Sequence, residues 1–246
     1  MIPQEDYRAR IYTRYATNFQ DAPTDFDPKS AWRWGRAYRH YLRGWLPESE
    51  KAIVLDVACG GGKLLYFFKR LGYSNIGGVD ISPEQVGLSR QVTPNVKEAN
   101  VLDFLSSRKG TFDLIAGLDI VEHFHKPEVL DFLDACYAGL KTGGRLVLQT
   151  PNADSPWGTV HRYNDFTHEV GFNANALTRL MSLVGFRNID AREIGPVPFG
   201  HSFLSTGRYV IWQAIRAGLK LWNLAETGDA GSGVLTRVFL ISGVKR

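Results

Sequence analysis

Val54-Leu-Asp-Val-Ala-Cys-Gly-Gly-Gly-Lys63 is a short apolar run that leads into three consecutive glycines. The apolar residues predict a buried strand, and the apolar spacing from Lys63 to Leu71 predicts a helix directly after the glycines. Ligands of open α/β sheets bind beyond the carboxyl ends of the strands, where glycine lets the backbone approach the ligand closely. The segment therefore predicts a ligand-binding turn between a strand and a helix.

Apolar runs with strand and helix periods alternate along the rest of the chain, which is typical of βαβ units and predicts an α/β fold with a parallel sheet. The predicted strands cover residues 52–57, 75–80, 96–99, 112–117, 145–150, 187–194 and 234–244. The predicted helices cover residues 63–71, a segment that starts at residue 83, and residues 127–140, 174–184 and 203–224. Residues 141–144 (KTGG) are expected to end the helix before them, because glycine accepts the positive φ of a helix C-terminus.

Residues 1–50 differ from the rest of the chain because they are rich in Tyr, Trp and Arg. Their pattern predicts two helices that cap the sheet, and residues 51–246 are expected to form the main domain. A long polar segment then runs from residue 151 to residue 173. We interpret it as a functional loop, since loops of that length inside a compact domain usually carry function.

An acid that follows Gly60 by twenty residues indicates the class of ligand. Asp80 ends the second predicted strand, where a carboxylate can accept both hydroxyls of a ribose. Leu65 stands where a dinucleotide-binding turn has its third glycine, and no Ser or Thr follows Lys63 as a triphosphate-binding loop requires. Asp56 would repel a pyrophosphate, but it suits a ligand with an ammonium and a sulfonium group. These residues point to S-adenosylmethionine.

The composition narrows the function classes and the partners. The chain has 246 residues and a formal net charge of +4 without a dense basic tract, so nucleic acid is not an expected partner. Cys59 and Cys136 are too few for a disulfide framework and predict a reducing, cytoplasmic compartment. Residues 203–224 are apolar but contain Arg208 and Arg216, which disfavours a transmembrane span. Peripheral membrane contact, core packing and a homodimer contact stay open for that helix.

Several motifs resemble, in order, those of class I S-adenosylmethionine-dependent methyltransferases between about residues 50 and 195. They are VLDVACGGG at residues 54–62, GVDIS at 78–82, ANVLD at 99–103, FDLI at 112–115, EH at 122–123 and LKTGGRL at 140–146. The resemblance implies a Rossmann-like fold: a seven-stranded, mainly parallel sheet with an antiparallel last strand and helices on both faces. It also implies S-adenosylmethionine as the cofactor and S-adenosylhomocysteine as its product.

The same resemblance implies a set of cofactor-binding residues. They are Asp56, Ala58, Cys59, Gly60, Gly62, Asp80, Ile81, Asn100, Val101, Leu118, Asp119 and His123. Asn100 stands where the family usually has an acid beside the adenine, and its amide can still donate or accept a hydrogen bond. Tyr15, from the N-terminal segment, is expected to close over the cofactor.

A narrower resemblance concerns the acceptor. QTPN at residues 149–152, residues 162–170 and residues 183–186 resemble methyltransferases found with bacterial polysaccharide biosynthesis. This implies O-methylation of a sugar or of a glycan precursor. O-methyltransferases of quinone precursors share the glycine motif and the Glu122-His123 pair, and they are the alternative. A binding module that keeps the cofactor pocket without turnover also stays open.

Methyl transfer to a hydroxyl group requires alignment of the acceptor and benefits from a base that removes the hydroxyl proton. We expect His168 to be this base, oriented by Asp165 or Glu169, with His123 as the second candidate. His161, Asp165, His168 and Glu169 also have the side-chain types that bind metal ions. Their spacing matches no ligand template, so a hydrogen-bonded substrate loop is favoured and no metal is predicted.

Overall fold

The computed structural model describes residues 7–19, 25–198 and 202–246. Its helices are α1 Tyr7–Tyr12, α2 Tyr15–Phe19, α3 Pro28–Tyr41, α4 Lys63–Arg70, α5 Pro83–Ser89, α6 Val101–Ser106, α7 Lys126–Gly139, α8 Gly158–Asn164, α9 Ala174–Val184 and α10 Phe203–Thr227. Its strands are β1 Ile53–Val57, β2 Asn75–Asp80, β3 Val96–Glu98, β4 Phe112–Leu118, β5 Leu140–Pro151, β6 Arg187–Glu193 and β7 Val238–Val244. A 3₁₀ turn, Val121–His123, follows β4.

The described strands form one sheet in the order β3-β2-β1-β4-β5-β7-β6. Strands β1 to β5 pair in parallel, whereas β7 runs antiparallel to β5 and β6. The predicted seven-stranded Rossmann-like sheet with an antiparallel last strand is thereby confirmed. Strand order reverses between β1 and β4, and the crevice beyond the carboxyl ends of these two strands is where such sheets bind ligands.

Helices cover both faces of the sheet because neighbouring residues of the central strands point to opposite sides. Val54 and Leu114 pack in the apolar cluster with α3, α4 and α5. Leu55 and Ile115 pack in the other cluster, with α6, α7 and α9. Both faces of β1 and β4 are therefore buried, which explains why these strands are almost continuously apolar.

The predicted end of helix α7 near residue 140 is confirmed, but the role given to residues 141–144 is wrong. The helix ends at Gly139, and residues 141–144 belong to β5. The register of β5 against β4 shifts between Phe112 and Leu114, and Gly143 has a φ of +81°. The glycines thus serve an irregularity inside a strand, which is a second use of positive φ besides the end of a helix.

Three further predictions differ from the structure. Strand β7 begins at Val238, whereas it was predicted from residue 234. The described part of residues 1–50 contains three helices, whereas two were predicted, and α8 lies inside the segment predicted as a loop. Helix α8 begins at Gly158, where a Cβ would lie 2.6 Å from the carbonyl oxygen of Asn152. Its start depends on this close backbone approach, which apolar spacing does not reveal. The division into a cap of residues 1–50 and a domain of residues 51–246 stays a prediction.

Helix α10 lies on the outside of the domain, and none of its residues is buried. Its exposed large apolar side chains are Phe203, Leu204, Val210, Ile211, Ile215, Leu221, Trp222 and Leu224. Within the described ranges, no helix combines the length and the hydropathy that crossing a bilayer requires.

Candidate functional site

The turn after β1 carries the chain back along the carboxyl edge of the sheet. Ala58, Gly60 and Gly62 have φ angles of +53°, +49° and +83°, a region that glycine adopts without steric cost. Gly62 is also the N-cap of helix α4, and a Cβ on it would lie 3.0 Å from the Cα of Ser89. The glycines therefore allow both the sharp turn and the close approach of Gly62 to Ser89 at the end of α5.

Asp80 joins the ends of β1 and β2. Its Oδ2 accepts a hydrogen bond from the backbone N–H of Gly60 at 2.8 Å, and its Oδ1 accepts one from Ser82 at 2.9 Å. Burial raises the pKa of Asp80, although these backbone donors oppose the rise. Each carboxylate oxygen keeps further acceptor capacity, so Asp80 can still receive the hydroxyls of a ribose.

Asp56 lies inside β1 and faces the same cavity. It is 2% exposed, and its Oδ2 has no hydrogen-bond partner among the described residues. Burial, and then the neighbouring Asp80, raise the pKa of Asp56 well above its usual value. An unsatisfied buried carboxylate oxygen is costly unless a bound donor completes it. The ammonium group of S-adenosylmethionine is such a donor, so the residues present fit the predicted cofactor.

A cavity of ≈ 640 Å³ opens at this edge of the sheet. Its wall includes the predicted cofactor residues Tyr15, Asp56, Ala58, Cys59, Gly60, Asp80, Ile81, Asn100, Val101, Leu118, Asp119 and His123, and the predicted catalytic residues Asp165 and His168. Gly62 is the exception among the predicted cofactor-binding residues, and Glu169, the second candidate to orient His168, also lies outside the wall. Gly62 lies behind this wall against Ser89, because the start of α4 turns it away from the cavity.

Two of the predicted cofactor-binding residues also form hydrogen bonds that support the elements around the cavity. Asn100 accepts a hydrogen bond from the N–H of Leu102 at 2.8 Å and thereby caps α6. Both carboxylate oxygens of Asp119 accept from Nε2 of Gln149, at 3.0 and 2.9 Å, and Gln149 in turn accepts from the hydroxyl of Tyr38 at 2.5 Å. This chain of hydrogen bonds connects the ends of β4 and β5 to α3.

His123 ends the 3₁₀ turn, and a relay of hydrogen bonds orients its ring. The hydroxyl of Thr167 donates to Oδ1 of Asp165 at 2.6 Å, so the Thr167 oxygen accepts from Nδ1 of His123 at 2.9 Å. Burial, reinforced by His168, lowers the pKa of His123 to about 4. Burial opposes ionisation of Asp165, but hydrogen bonds from Thr167 and Tyr15 outweigh it and lower the pKa of that carboxyl.

His168 lies beside His123, with the two ring centroids 4.7 Å apart. Its Nδ1 donates to the carbonyl oxygen of His161 at 2.9 Å, which leaves Nε2 with a lone pair, 3.9 Å from Oε1 of Glu122. The predicted orienting carboxylates have other partners: Asp165 accepts from Thr167 and Tyr15, and Glu169 accepts from Tyr7. A backbone carbonyl therefore orients His168, and sequence spacing does not show such a partner.

Glu122 is 1% exposed and supports the loop that carries His168. Its backbone carbonyl accepts from the N–H groups of Glu169 and Val170 at 2.7 and 3.1 Å. Its Oε2 accepts from the hydroxyl of Thr150 at 3.0 Å, while its Oε1 has no partner among the described residues. Burial, and then the charge of Asp119, raise the pKa of Glu122 well above its usual value.

Glu122, His123 and His168 offer one metal-ligand atom each, and these atoms all lie within 4.8 Å of one another. This set shares only His168 with the loop residues considered as metal ligands from the sequence, which are His161, Asp165, His168 and Glu169. Sequence reasoning missed Thr167 and Thr150 as partners of the site. For Thr167 the available signal was its position between Asp165 and His168.

Helices α1 and α2 cover the outer rim of the cavity. Tyr7 donates to Glu169, which also lies 3.4 Å from Nδ1 of His125. Arg8 forms an ion pair with Glu128 of α7 at 2.7 Å. These contacts hold the N-terminal helices against α7 and the segment that carries His168, and Tyr12 and Tyr15 line the cavity itself.

Known proteins resemble this chain in sequence and in fold. A model of the family described as "Methyltransferase domain" matches residues 14–191. A stretch of 107 residues is 36% identical to the ubiquinone biosynthesis O-methyltransferase of Xanthomonas oryzae pv. oryzae. That stretch covers 41% of this chain and 44% of the relative, so less than half of the relative is matched.

Solved structures share the fold. A SAM-dependent methyltransferase from Archaeoglobus fulgidus has a TM-score of 0.65 and 20% identity, over 95% of this chain and 99% of that chain. Phosphoethanolamine N-methyltransferase 2 of Haemonchus contortus, in complex with phosphomonomethylethanolamine and S-adenosylhomocysteine, has a TM-score of 0.60 and 13% identity. It aligns over 95% of this chain and 60% of that chain. At these identities the likeness concerns the fold alone.

The family model extends from α2 into β6 and so includes the glycine turn, Asp80, Asp119 and the histidine pair. The comparisons do not support the narrower resemblance to methyltransferases of polysaccharide biosynthesis. Asp56 and Asp80 both line the cavity at this edge of the sheet. The chain therefore belongs to the family described as "Methyltransferase domain", and it has the fold of solved SAM-dependent methyltransferases.

Proposed function

We propose that this chain is a class I methyltransferase that uses S-adenosylmethionine and transfers the methyl group of that cofactor to a hydroxyl group of a small acceptor. The observation that carries the proposal is the pair His123 and His168, whose Nδ1 atoms are both held by hydrogen bonds on the wall of the cofactor cavity. In a neutral imidazole, an Nδ1 that donates leaves Nε2 as a proton acceptor. A hydroxyl acceptor needs such a group, because its proton must leave as the new bond forms.

His168 is the proposed base, and His123 is the second candidate. S-adenosylmethionine supplies an activated methyl group on a sulfonium, so the protein has to align the acceptor and exclude water. Nε2 of His168 takes the hydroxyl proton while the oxygen–carbon bond forms and the sulfur–carbon bond breaks, which leaves S-adenosylhomocysteine. Helices α1 and α2 shield this end of the cavity from solvent.

Two acceptor classes stand as proposals. A sugar hydroxyl is the first, on the narrower resemblance of residues 149–186. A quinone precursor is the second acceptor class. It is favoured by the name of the Xanthomonas relative, which is similar to this chain within the matched 107 residues. Cytoplasmic location, peripheral membrane contact of residues 203–224 and a homodimer stay predictions.

The test is incubation of the purified protein and labelled S-adenosylmethionine with pools of nucleotide sugars, lipid-linked glycans and catechols, followed by identification of the methylated product. An O-methylated product is expected. Reaction with catechols alone would remove the sugar proposal and keep the quinone-precursor proposal. Methylation at nitrogen or carbon alone, or no transfer to any pool, would contradict O-methyl transfer.

A further inference from the structure

The cluster formed by Glu122, His123 and His168 has a geometry that suits one metal ion. Its three ligand atoms lie within 4.8 Å of one another. Ligands at about 2.1 Å from a single ion are separated by roughly 3 to 4 Å. Side-chain rotations that move each ligand atom by less than about 1 Å would therefore bring the three atoms within bonding distance of one ion.

Both histidines have the second hydrogen bond that metal-binding histidines usually have. Nδ1 of His168 donates to the backbone carbonyl of His161, and Nδ1 of His123 donates to Thr167, which is itself backed by Asp165. A carbonyl or carboxylate behind one ring nitrogen fixes the tautomer and raises the basicity of the other nitrogen. The rings are thus set to present Nε2 as a ligand.

Glu122 supplies an independent observation. It is 1% exposed, and Thr150 satisfies Oε2, while Oε1 has no partner among the described residues and lies 3.9 Å from Nε2 of His168. A buried acceptor of this kind is costly unless it is protonated or bound to a cation. A metal ion between Glu122 and the two rings would satisfy it.

We propose that Glu122, His123 and His168 bind one first-row transition-metal dication, with Zn²⁺ or Mn²⁺ preferred over Mg²⁺. Two imidazoles and one carboxylate suit a transition metal, whereas Mg²⁺ prefers oxygen ligands. Three protein ligands leave coordination positions open toward the cavity. The ion takes the lone pair that His168 offers as a base, so metal binding competes with proton acceptance at this residue.

The test is isothermal titration calorimetry of Zn²⁺, Mn²⁺ and Mg²⁺ into the full chain without an affinity tag. We expect one Zn²⁺ per chain and weaker binding of Mg²⁺. Glu122→Gln and His168→Asn should each weaken Zn²⁺ binding on the order of a hundredfold, and Thr167→Val, which removes only the support of His123, by about 10- to 100-fold. His40→Asn, on helix α3 away from the cluster, is the matched control and should bind Zn²⁺ like the unaltered chain.

Binding of S-adenosylhomocysteine shows that each variant is folded, so a loss of metal binding can be assigned to the site. Co²⁺ provides a second readout, because its visible absorption bands report the ligands and should be lost in His168→Asn. Equal Zn²⁺ affinity in the unaltered chain and in all cluster variants would overturn the metal site.

Methyl transfer separates this inference from the proposed function. Zn²⁺ is expected to lower turnover, and a chelator is expected to restore it. Absence of methyl transfer with and without metal would contradict the proposed function and leave the metal site standing. Absence of Zn²⁺ binding would overturn the metal site and leave His168 as the proposed base. A turnover that rises with Zn²⁺ would contradict the proposed competition between metal binding and proton acceptance at Nε2 of His168.

Discussion

The backbone N–H of Gly60 donates to Oδ2 of Asp80 across 2.8 Å, so the residue that ends β2 also holds the turn that follows β1. Asp80→Asn keeps the size of the side chain but replaces one acceptor oxygen with a donor. We expect the dissociation constant of S-adenosylhomocysteine to rise on the order of 10- to 100-fold, as for a lost hydrogen bond to a charged group. Isothermal titration calorimetry measures it.

The control for Asp80→Asn is Glu98→Gln. Glu98 pairs in register with Asp80 on the neighbouring strand, but it is exposed and lies outside the cavity wall. Its replacement should leave the affinity unchanged. Equal affinity of Asp80→Asn and the unaltered chain would show that Asp80 does not bind the ribose.

Asp56 has a buried, unpartnered Oδ2 in the described structure, and we expect this oxygen to accept from the ammonium group of the cofactor. Asp56→Asn should weaken binding of S-adenosylhomocysteine by about tenfold or more, because a buried charge-assisted hydrogen bond is lost. Binding of 5′-methylthioadenosine, which has no amino group, should change little. A similar loss for both ligands would mean that Asp56 acts through the glycine turn.

His168→Ala is expected to lower turnover on the order of a hundredfold, because it removes the proposed base. Binding of S-adenosylhomocysteine should stay within a few fold, roughly the scatter of such substitutions. Steady-state kinetics with the identified acceptor measure the effect, and His40→Ala is the control. A larger loss in His123→Ala than in His168→Ala would move the role of base to His123.

His123 links stability to pH, because burial lowers its pKa to about 4 in the folded chain, against about 6.5 in an unfolded chain. Below about pH 6.5 the unfolded chain binds a proton that the folded chain excludes. The stability contributed by neutral His123 is therefore complete above that pH and is lost as the pH falls toward 4. The loss amounts to about 2 kcal/mol by pH 5.

Urea unfolding of the unaltered chain and of His123→Asn at pH 7.5 and 5 measures this effect. Buried carboxyls such as Glu122 respond to pH in the opposite direction, so the difference between the two proteins is the relevant quantity. That difference should shrink by about 2 kcal/mol at the lower pH. A difference that is constant with pH would contradict the lowered pKa of His123.

Gly62→Ala should destabilise the chain. Gly62 has a φ of +83°, and a Cβ would lie 3.0 Å from the Cα of Ser89, which is backbone and cannot rotate away. We expect the free energy of unfolding to fall by about 1–2 kcal/mol or more. Gly87→Ala on α5 is the control: a Cβ there meets no atom within 4 Å, and the helix should gain about 0.4–1 kcal/mol. Equal stability of both variants would contradict the role given to Gly62.

The sequence alone determined the sheet, the glycine turn and the cofactor. Short apolar runs and glycines are local signals, because burial on both faces requires apolar residues at adjacent positions, and a positive φ requires glycine. For this reason β2 and α9 have the predicted bounds, and Asp80 lies on the cavity wall as predicted. The same reasoning wrongly assigned residues 141–144 to the end of a helix, because a positive φ occurs at a strand irregularity as well as at a helix end.

Only the tertiary structure decided the arrangement around Glu122, His123 and His168. Glu122 and His168 are 46 positions apart in the chain, and they meet because the carbonyl of Glu122 binds the amides of Glu169 and Val170. The hydrogen-bond partners of His123 and His168 are a threonine and a backbone carbonyl, and neither has a pattern that spacing can reveal. Which nitrogen is free, and which carboxylate is left unpaired, depends on contacts between distant segments, so these properties exist only once the chain has folded.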